Sequence, residues 1–286
     1  MQRCPMREST ITFDSVDGLK IQTYLWEPED EPRAVVQLQH GLGEHAGRYR
    51  RFGEALTAAG YVVYAPDARG SGRTAGGAYG HWGRDGWPGW VEDLNQLNRC
   101  IRADRRGLPV ALIGHSMGSF ASQQYLLNHS ADVDAVVLIG TTEVSGLADM
   151  LSGPADLSAF NAGFEHRTGF EWLTRDEAEV DKYCADPECG FETQPFEGIQ
   201  TLKRAADPDE LAKIRADLPV LIVSGDADPI ADRGAAPELV GRRYRDAGLT
   251  DVEVVIYPEA RHELLNETNR DEVTERILGF LARVLG

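Results

Sequence analysis

The sequence predicts an α/β fold with a mostly parallel central sheet that is covered by helices on both faces. Short apolar runs alternate along the chain with segments of helical periodicity, the pattern of parallel strands joined by helices. The chain has 286 residues, of which 42% are hydrophobic and 26% charged, so it is long enough to bury a substantial core. One stretch, residues 143–208, interrupts the alternation and predicts an insertion.

Two antiparallel strands are expected to open the chain. Apolar and polar residues alternate on both sides of Asp17-Gly18, which predicts a two-residue hairpin turn. Short apolar runs predict later strands at Ala34 to Leu38, Tyr61 to Ala65, Val110 to Ile113, Ala135 to Ile139, Leu218 to Val223 and Val252 to Tyr257. Apolar residues at helical spacing predict helices at Arg51 to Tyr61, Trp90 to Arg102, Ser119 to Leu127, Ala235 to Ala247 and Asp271 to Leu285.

The insertion divides the predicted fold into three parts. Residues 1–142 form the first part of the α/β core, residues 143–208 a helical lid or cap, and residues 209–286 the second part of the core. The middle part is too long for a plain connection, and it offers small helices without a clear strand. It also carries many aromatic and aliphatic residues that need a surface to pack on. An ordinary helical subdomain is the alternative to a lid at the site.

The pentapeptide Gly114-His115-Ser116-Met117-Gly118 lies between a predicted strand and a predicted helix. A strand that turns sharply into a helix strains the residue at the turn, and flanking glycines avoid clashes with the neighbouring backbone. In this setting the GxSxG pattern indicates a nucleophilic serine, whereas alone it also fits an ordinary glycine-rich turn. The backbone N–H of Met117 would then face an oxyanion formed at Ser116.

A serine nucleophile needs a base, and His262 is the preferred candidate among the seven histidines. It follows the predicted strand Val252 to Tyr257 by a five-residue loop, which places it at the carboxyl edge of the sheet. The alternatives are less well placed at this edge or in chain order, and they comprise His40, His115, His129 and His166.

The residue that orients the base is expected after a strand that lies between Ser116 and His262 in the chain. The segment "LIVSGDADPIAD" offers three carboxylates there, Asp226, Asp228 and Asp232. Asp228 is preferred, but spacing alone leaves all three open.

The segment "HGLGEH", residues 40–45, follows the first predicted parallel strand and is called the oxyanion loop below. Its glycines let the backbone approach a reacting carbonyl, so the N–H of Leu42 is the second expected oxyanion donor. His40, Glu44 and His45 leave a metal site as an alternative, although no further ligand at suitable spacing accompanies them. We therefore expect neither a metal nor a cofactor.

Composition and net charge limit the classes of partner that we expect for this protein. A net charge of −17 argues against nucleic acid and against anionic membranes as standing partners. No run is long enough to span a membrane, and the segment "MQRCPMREST" lacks the apolar core of a signal peptide, so a cytoplasmic protein is expected. The four cysteines are irregularly spaced; Cys184 and Cys189 are close enough to pair, but free thiols are preferred.

These motifs give the chain a resemblance to the monoglyceride lipase and lysophospholipase branch of the α/β-hydrolases, also grouped with serine aminopeptidase-like hydrolases. The blocks "HGLGEHAGRYRRFGEAL", "PDARGSGRT", "GHSMGS", "GDADPI" and "YPEARHELLNE" are similar to ordered blocks of that family, and the insertion text "RDEAEVDKYCADP" resembles the family's lid. The resemblance spans nearly the whole chain and implies the α/β-hydrolase fold with an inserted helical lid.

The resemblance also implies roles for individual residues. It implies Ser116 as nucleophile, Asp228 as orienting acid and His262 as base, with oxyanion N–H groups from Leu42 and Met117. Family members that cleave monoglycerides use residues at the positions of Glu44 and Arg48 around the glycerol end, whereas a structural ion pair is the alternative for these two. Leu265 stands where animal enzymes have a second histidine, and Thr74 stands where the family has serine.

The predicted function is a serine hydrolase that cleaves carboxylic esters of a single acyl chain through an acyl-enzyme. A thioesterase or a peptidase acting on small amides would use the same triad, and a ligand-binding homologue without catalysis is the alternative from another class. The expected partner is a small acyl ester, without stable membrane insertion but with room for transient lipid contact through the lid.

Overall fold

A computed structural model describes residues 6–153 and 156–286. Cys4, which lies in the "MQRCPMREST" segment, and residues 154 and 155 of the predicted lid lie outside the described residues. One sheet of eight strands runs in the order β1-β2-β4-β3-β5-β6-β7-β8. Its strands are β1 Arg7–Asp14, β2 Lys20–Glu27, β3 Ala34–Gln39, β4 Tyr61–Pro66, β5 Val110–His115, β6 Ala135–Ile139, β7 Val220–Gly225 and β8 Val252–Tyr257.

The predicted α/β fold with a mostly parallel sheet is confirmed. Strands β3 to β8 pair in parallel, whereas β1 and β2 pair with each other and β2 pairs with β4 in the antiparallel sense. The α-helices are α1 Arg50–Ala58, α2 Gly72–Ala75, α3 Gly86–Asp104, α4 Met117–His129, α5 Val144–Met150, α6 Glu177–Ala185, α7 Pro208–Leu211, α8 Ala235–Asp246 and α9 Arg270–Leu285.

The two faces of the sheet carry separate cores because successive strand side chains point to opposite sides. Leu112 of β5 belongs to the core under α3, α4 and α8, and its neighbour Ile113 belongs to the core under α1 and α9. Both residues are fully buried. Helices on both faces therefore explain why the parallel strands read as continuous apolar runs rather than as alternating ones.

The first hairpin differs from its prediction. The strands β1 and β2 pair as expected, but Asp14 lies opposite Lys20, so a five-residue loop and not a two-residue turn joins them. Within this loop Ser15 to Gly18 form a tight turn, with the N–H of Gly18 donating to Ser15 O at 3.0 Å, and the Asp17 carboxylate accepts a hydrogen bond from the buried Arg69 at 3.1 Å. Gly18 still occupies the left-handed region, with φ of 86°.

The segment 143–208, called the cap segment below, contains short helices and no strand in the part that the structure describes. Besides α5 and α6 it has short 3₁₀ helices at Leu157–Gly163, Glu171–Leu173 and Ile199–Ala206. Its later part joins the core, because the Phe196 ring stacks on Trp82 with ring centroids 4.0 Å apart. Its earlier part forms a small apolar cluster over Leu42 of the oxyanion loop.

Across the described ranges, helices are too short or too polar to cross a lipid bilayer.

Several parallel strands end at the same edge of the sheet, since β3, β5, β7 and β8 run in the same direction. The segments that directly follow these four strands carry Leu42, Ser116, Met117, Asp228 and His262, the residues that the sequence assigned to catalysis.

Candidate active site

Ser116 lies between β5 and α4 in a strained backbone conformation, with φ of 49° and ψ of −121°. The neighbouring glycines are required by close backbone contacts. A Cβ at Gly114 would lie 2.5 Å from the carbonyl oxygen of Gly118, and a Cβ at Gly118 would lie 2.6 Å from the carbonyl oxygens of Gln39 and His40. A side chain at either position would therefore force β5, α4 and the oxyanion loop apart.

The oxyanion loop passes directly beside Ser116. A Cβ at Gly41 would lie 3.0 Å from the Ser116 Cβ, so the loop reaches the serine only because residue 41 has no side chain. Leu42 and Met117 line the same cavity as Ser116 and His262. Met117 is the first residue of α4, where backbone N–H groups point out of the helix end.

His262 and Asp228 form a buried hydrogen-bonded pair. The distance from His262 Nδ1 to Asp228 Oδ2 is 2.7 Å, and both side chains are at least 97% buried. The other oxygen of Asp228 accepts a hydrogen bond from the backbone N–H of Ile230 at 3.0 Å. A carboxylate at Nδ1 holds the proton on that nitrogen and directs Nε2 away from the acid, which is the tautomer that a general base requires.

Asp226 and Asp232, the other two candidates for the acid that orients His262, have different contacts. Asp226 accepts a hydrogen bond from the backbone N–H of Glu259 at 2.6 Å, and it thereby holds the turn that precedes the His262 loop. Asp232 is exposed and begins a short single-turn helix. Of the three carboxylates, Asp228 is the one placed against a histidine ring.

The other candidate histidines have structural contacts. His40 is buried, with Nδ1 donating to Gly41 O and Nε2 accepting from the N–H of Ala68, and burial lowers its pKa. His129 lies beside Asp132 at the end of α4, and His166 is exposed in the cap segment. None of these three lines the cavity around Ser116.

His115 is buried between the oxyanion loop and the His262 loop. Its Nδ1 lies 3.1 Å from Glu44 Oε1, and its Nε2 lies 3.3 Å from the carbonyl oxygen of His262. Burial alone lowers the pKa of His115, but the hydrogen bond to Glu44 and the charge of Glu44 raise it above its usual value. Since both ring nitrogens face acceptors, His115 is arranged to carry a proton on each of them.

Glu44 and Arg48 form a buried ion-pair network with a third residue, Glu263. Arg48 Nη1 lies 2.7 Å from Glu44 Oε2 and 2.5 Å from Glu263 Oε1, while Nη2 lies 2.7 Å from Glu263 Oε2. Glu44 Oε1 also accepts from the N–H of Gly41 and from the Tyr49 hydroxyl, each at 2.7 Å. Burial alone would raise the pKa of Glu44, but its hydrogen bond from His115 and the charge of Arg48 hold this pKa well below its usual value.

This network supports the alternative in which Glu44 and Arg48 form a structural ion pair. The four hydrogen bonds to Glu44 use about as many lone-pair directions as a carboxylate offers. Glu263 was not singled out from the sequence, although it directly follows His262. No local sequence pattern connects Glu263 to Arg48, which lies 215 residues earlier in the chain.

A partly open apolar cavity extends from Ser116 into the cap segment. Its apolar lining comprises Leu42, Met117, Phe120, Leu147, Met150, Leu151, Leu157, Phe160, Trp172, Leu173 and Ile230. Trp172 packs on the catalytic candidate His262 with ring centroids 4.9 Å apart, a contact that the sequence did not predict. The partner of a histidine 90 residues away cannot be read from local periodicity.

Glu171 fixes the turn that presents Trp172. It accepts hydrogen bonds from the N–H and hydroxyl of Thr168, each at 2.6 Å, and from Asn161 Nδ2 at 2.8 Å. Burial alone would raise the pKa of Glu171, but these hydrogen bonds lower it to about 2. Because this pKa is depressed, the stability that Glu171 contributes is present above its ordinary value of 4.5 and is lost as the pH falls toward 2.

We predict that Glu171→Gln lowers the free energy of unfolding at pH 7 by about 2 kcal/mol, because buried donors lose a charged acceptor. Urea unfolding of wild type and variant at pH 7 and pH 4 measures this difference. The difference is expected to shrink at pH 4, where the wild-type carboxylate begins to lose its advantage. The exposed Glu165→Gln serves as control. A difference that stays constant with pH would contradict the assignment.

The metal alternative for the oxyanion loop is not supported by the geometry. His40 and Glu44 are held by the hydrogen bonds described above, and His45 Nε2 lies 3.0 Å from Asp186 Oδ2 in the cap segment. The three residues of that alternative therefore point to different partners. Cys184 and Cys189 carry separate, unbridged thiols in the structure.

Comparison with known proteins adds three findings. The sequence matches the family model described as serine aminopeptidase, S33, over residues 30–269. A monoacylglycerol lipase of Mycolicibacterium smegmatis is 32% identical over 280 residues, which cover 94% of this chain and 97% of that protein. Monoglyceride lipase of Mus musculus is 29% identical over 89% of this chain and 87% of its own length.

Solved structures also resemble this chain over nearly its whole length. A thermostable carboxyl esterase from Bacillus coagulans, solved in complex with glycerol, superposes with a TM-score of 0.86 at 28% identity. The superposition covers 99% of this chain and 100% of the esterase chain. The likeness therefore includes the sheet, its helices and the loops at the carboxyl edge.

Proposed function

The chain belongs to the serine aminopeptidase S33 family of α/β-hydrolases and is a carboxylic ester hydrolase, and we propose that it cleaves esters of a single acyl chain through a Ser-His-Asp triad. The observation that carries this proposal is the placement of Ser116 and the His262–Asp228 pair on the wall of one apolar cavity. An ester carbonyl at Ser116 would have its acyl chain in apolar surroundings and its oxygen beside the oxyanion loop.

In the proposed mechanism Ser116 Oγ attacks the ester carbonyl while His262 Nε2 accepts the hydroxyl proton. Asp228 keeps the imidazole oriented and stabilises its charged form. The N–H groups of Leu42 and Met117 stabilise the tetrahedral oxyanion. His262 then returns the proton to the leaving alcohol, and a water molecule, deprotonated by His262, releases the acid from the acyl-enzyme.

We propose that the cap segment acts as a lid that selects a single acyl chain. Its residues Leu147, Leu151, Leu157 and Phe160 form part of the cavity wall. Burying a methylene contributes about 0.8 kcal/mol, which corresponds to about a fourfold gain in kcat/KM for each carbon that fits. A triacylglycerol would have to place two further chains outside this wall.

In this proposal, Glu44 and Arg48 contribute little to binding the alcohol end of the ester. Glu44 reaches the cavity wall, but its carboxylate is already engaged by four donors, and Arg48 is paired with two carboxylates. The main role we assign to this pair is to position the oxyanion loop through the Gly41 N–H. Any preference for a glycerol head group is then expected to be modest.

Transient contact with lipid is proposed at the mouth of the cavity. Met150 lines the cavity and is nevertheless 51% exposed, which is unusual for a large apolar side chain in this protein. The net charge of −17 disfavours an anionic surface, so a neutral lipid surface or a dissolved ester is the expected source of substrate in the cytoplasm.

The test is kcat/KM for monoacylglycerols of increasing chain length, for di- and triacylglycerols, and for matched ethyl esters, thioesters and aminoacyl amides. We expect kcat/KM to rise with chain length up to medium-length acyl groups, and triacylglycerols to be poor substrates. Glycerol and ethyl esters are expected to differ by less than about tenfold. Triacylglycerol turnover equal to that of the monoacyl ester would contradict the lid, and faster cleavage of thioesters or amides would redirect the proposal to those substrates.

A further inference from the structure

A second group of chemically reactive side chains lies outside the proposed catalytic site. In residues 6–153 and 156–286, His45, Asp186 and Cys189 form a group whose metal-ligating atoms all lie within 4.8 Å of one another. All three are partly buried. His45 follows Glu44 in the oxyanion loop, whereas Asp186 and Cys189 belong to the cap segment, so the group bridges two parts of the chain that are distant in sequence.

The turn after α6 places two of these residues on the same side. The N–H of Cys189 donates to Asp186 O at 3.1 Å, and the N–H of Glu188 donates to Asp186 Oδ1 at 2.9 Å. The carboxylate of Asp186 and the thiol of Cys189 are thereby presented together from an Asp-x-x-Cys spacing. The turn is itself tethered to the oxyanion loop, because the N–H of Gly190 donates to Gly43 O at 2.9 Å.

His45 faces this pair with a defined ring orientation. Its Nε2 lies 3.0 Å from Asp186 Oδ2, and its Nδ1 accepts from the N–H of Gly47 at 3.2 Å. Glu188 Oε2 lies 3.9 Å from the same Nδ1. If a cation replaces the proton on Nε2, Nδ1 takes up the ring proton and gives up the Gly47 contact. The Glu188 carboxylate would accept the new hydrogen bond after moving about 1 Å closer.

Solvent reaches His45 and Asp186 of the group through an open surface cavity that both residues line. This cavity is separate from the apolar cavity at Ser116, since the two share no lining residue. A hydrated cation can therefore approach the group without passing the catalytic site.

We propose that His45, Asp186 and Cys189 bind one divalent transition-metal ion of the zinc class, with water as the fourth ligand. One imidazole, one thiolate and one carboxylate are a donor set that suits Zn²⁺ and not Mg²⁺ or Ca²⁺. The metal–sulfur bond forms as the thiol proton of Cys189 leaves to solvent, and the proton on His45 Nε2 is replaced by the metal while Nδ1 becomes protonated.

Metal binding would fasten the cap segment to the oxyanion loop. The two are already joined by the Tyr183 hydroxyl, which donates to Gly43 O at 2.7 Å. A metal bound in the folded protein adds its binding free energy to the stability of this junction. The proposed site takes no part in ester cleavage, so its existence does not depend on the triad.

Cobalt is the probe, because Co²⁺ bound to a thiolate in tetrahedral geometry gives a charge-transfer band and visible d–d bands. Titration of the purified, metal-stripped protein with Co²⁺ is expected to develop these bands with one equivalent, and Zn²⁺ is expected to bleach them. Cys189→Ser should abolish the charge-transfer band and weaken binding at least about tenfold. Cys184→Ser, which changes an exposed cysteine five residues earlier, should leave the bands unchanged.

A second readout is the unfolding temperature. Zn²⁺ at about 100 times its Kd is expected to raise the Tm of wild type by about 5 °C, and to leave the Tm of His45→Gln unchanged. His129→Gln, which alters another histidine beside an aspartate, serves as control and should respond as wild type does. Absence of cobalt bands at millimolar Co²⁺ would overturn the proposal. Bands or a Zn²⁺-induced Tm shift that survive in Cys189→Ser and His45→Gln would overturn it as well.

Discussion

Ser116→Ala is expected to lower kcat for ester cleavage by about 10⁴- to 10⁶-fold, because the acyl-enzyme cannot form without the hydroxyl. The variant should fold normally. Alanine at φ of 49° is about as strained as serine, so the backbone cost of the turn is unchanged. Initial rates with a monoacyl ester and a thermal unfolding curve measure the two effects separately.

Ser122→Ala is the matched control for this prediction. Ser122 is buried in α4 six residues after Ser116, and its hydroxyl donates to Gly118 O at 2.7 Å, within the same helix. Its loss should change stability slightly and leave kcat within a few-fold of wild type. If Ser116→Ala kept more than a trace of turnover, the nucleophile would have to be sought elsewhere.

Asp228→Asn is expected to lower kcat by about 10⁴-fold while KM changes little. The asparagine amide accepts a weaker hydrogen bond from His262 Nδ1, or donates to it and thereby stabilises the wrong tautomer. The loss therefore appears in the chemical step rather than in substrate binding. Steady-state kinetics of the variant across pH 6 to 9 measure it.

Asp226→Asn is the control that the structure supplies for Asp228. Its carboxylate accepts from the backbone N–H of Glu259, and an asparagine carbonyl can accept the same bond. We expect a loss below about tenfold, and the exposed Asp232→Asn should be close to wild type. An equal loss at Asp226 and Asp228 would show that the loop, and not the contact with His262, controls activity.

The sequence predicted the elbow because its requirements are local. Gly114 and Gly118 are needed where β5, α4 and the oxyanion loop approach within a few ångströms, and nothing beyond five consecutive residues is required to state the pattern. The parallel strands were predicted for the same reason, since burial on both faces leaves a continuous apolar run. The helix boundary was less certain: α4 begins at Met117 and not at Ser119, because the turn at Ser116 leads straight into it.

The choice among the three aspartates shows where spacing stops being informative. Asp226, Asp228 and Asp232 occupy one short loop, and the direction of each side chain depends on the turns that the loop adopts. The resemblance selected Asp228, and its contact with His262 agrees with that selection. The contact between Arg69 and Asp17 in the hairpin loop has a similar origin, because Arg69 comes from a distant part of the chain.

Contacts across long separations were the part that the sequence did not reveal. Trp172 against His262, Glu263 against Arg48 and His45 against the cap segment each join residues that are far apart or that local patterns do not connect. Their positions depend on how the cap segment folds over the sheet edge. No periodicity within the cap segment encodes that placement.

The central claim, that Ser116 forms an acyl-enzyme activated by the His262–Asp228 pair, is tested most directly by labelling with a fluorophosphonate followed by mass spectrometry of the peptides. We predict one adduct per chain, located on Ser116, with labelling absent in Ser116→Ala and slowed by orders of magnitude in Asp228→Asn. An adduct on another residue, or full esterase activity in protein that no fluorophosphonate labels, would contradict the account.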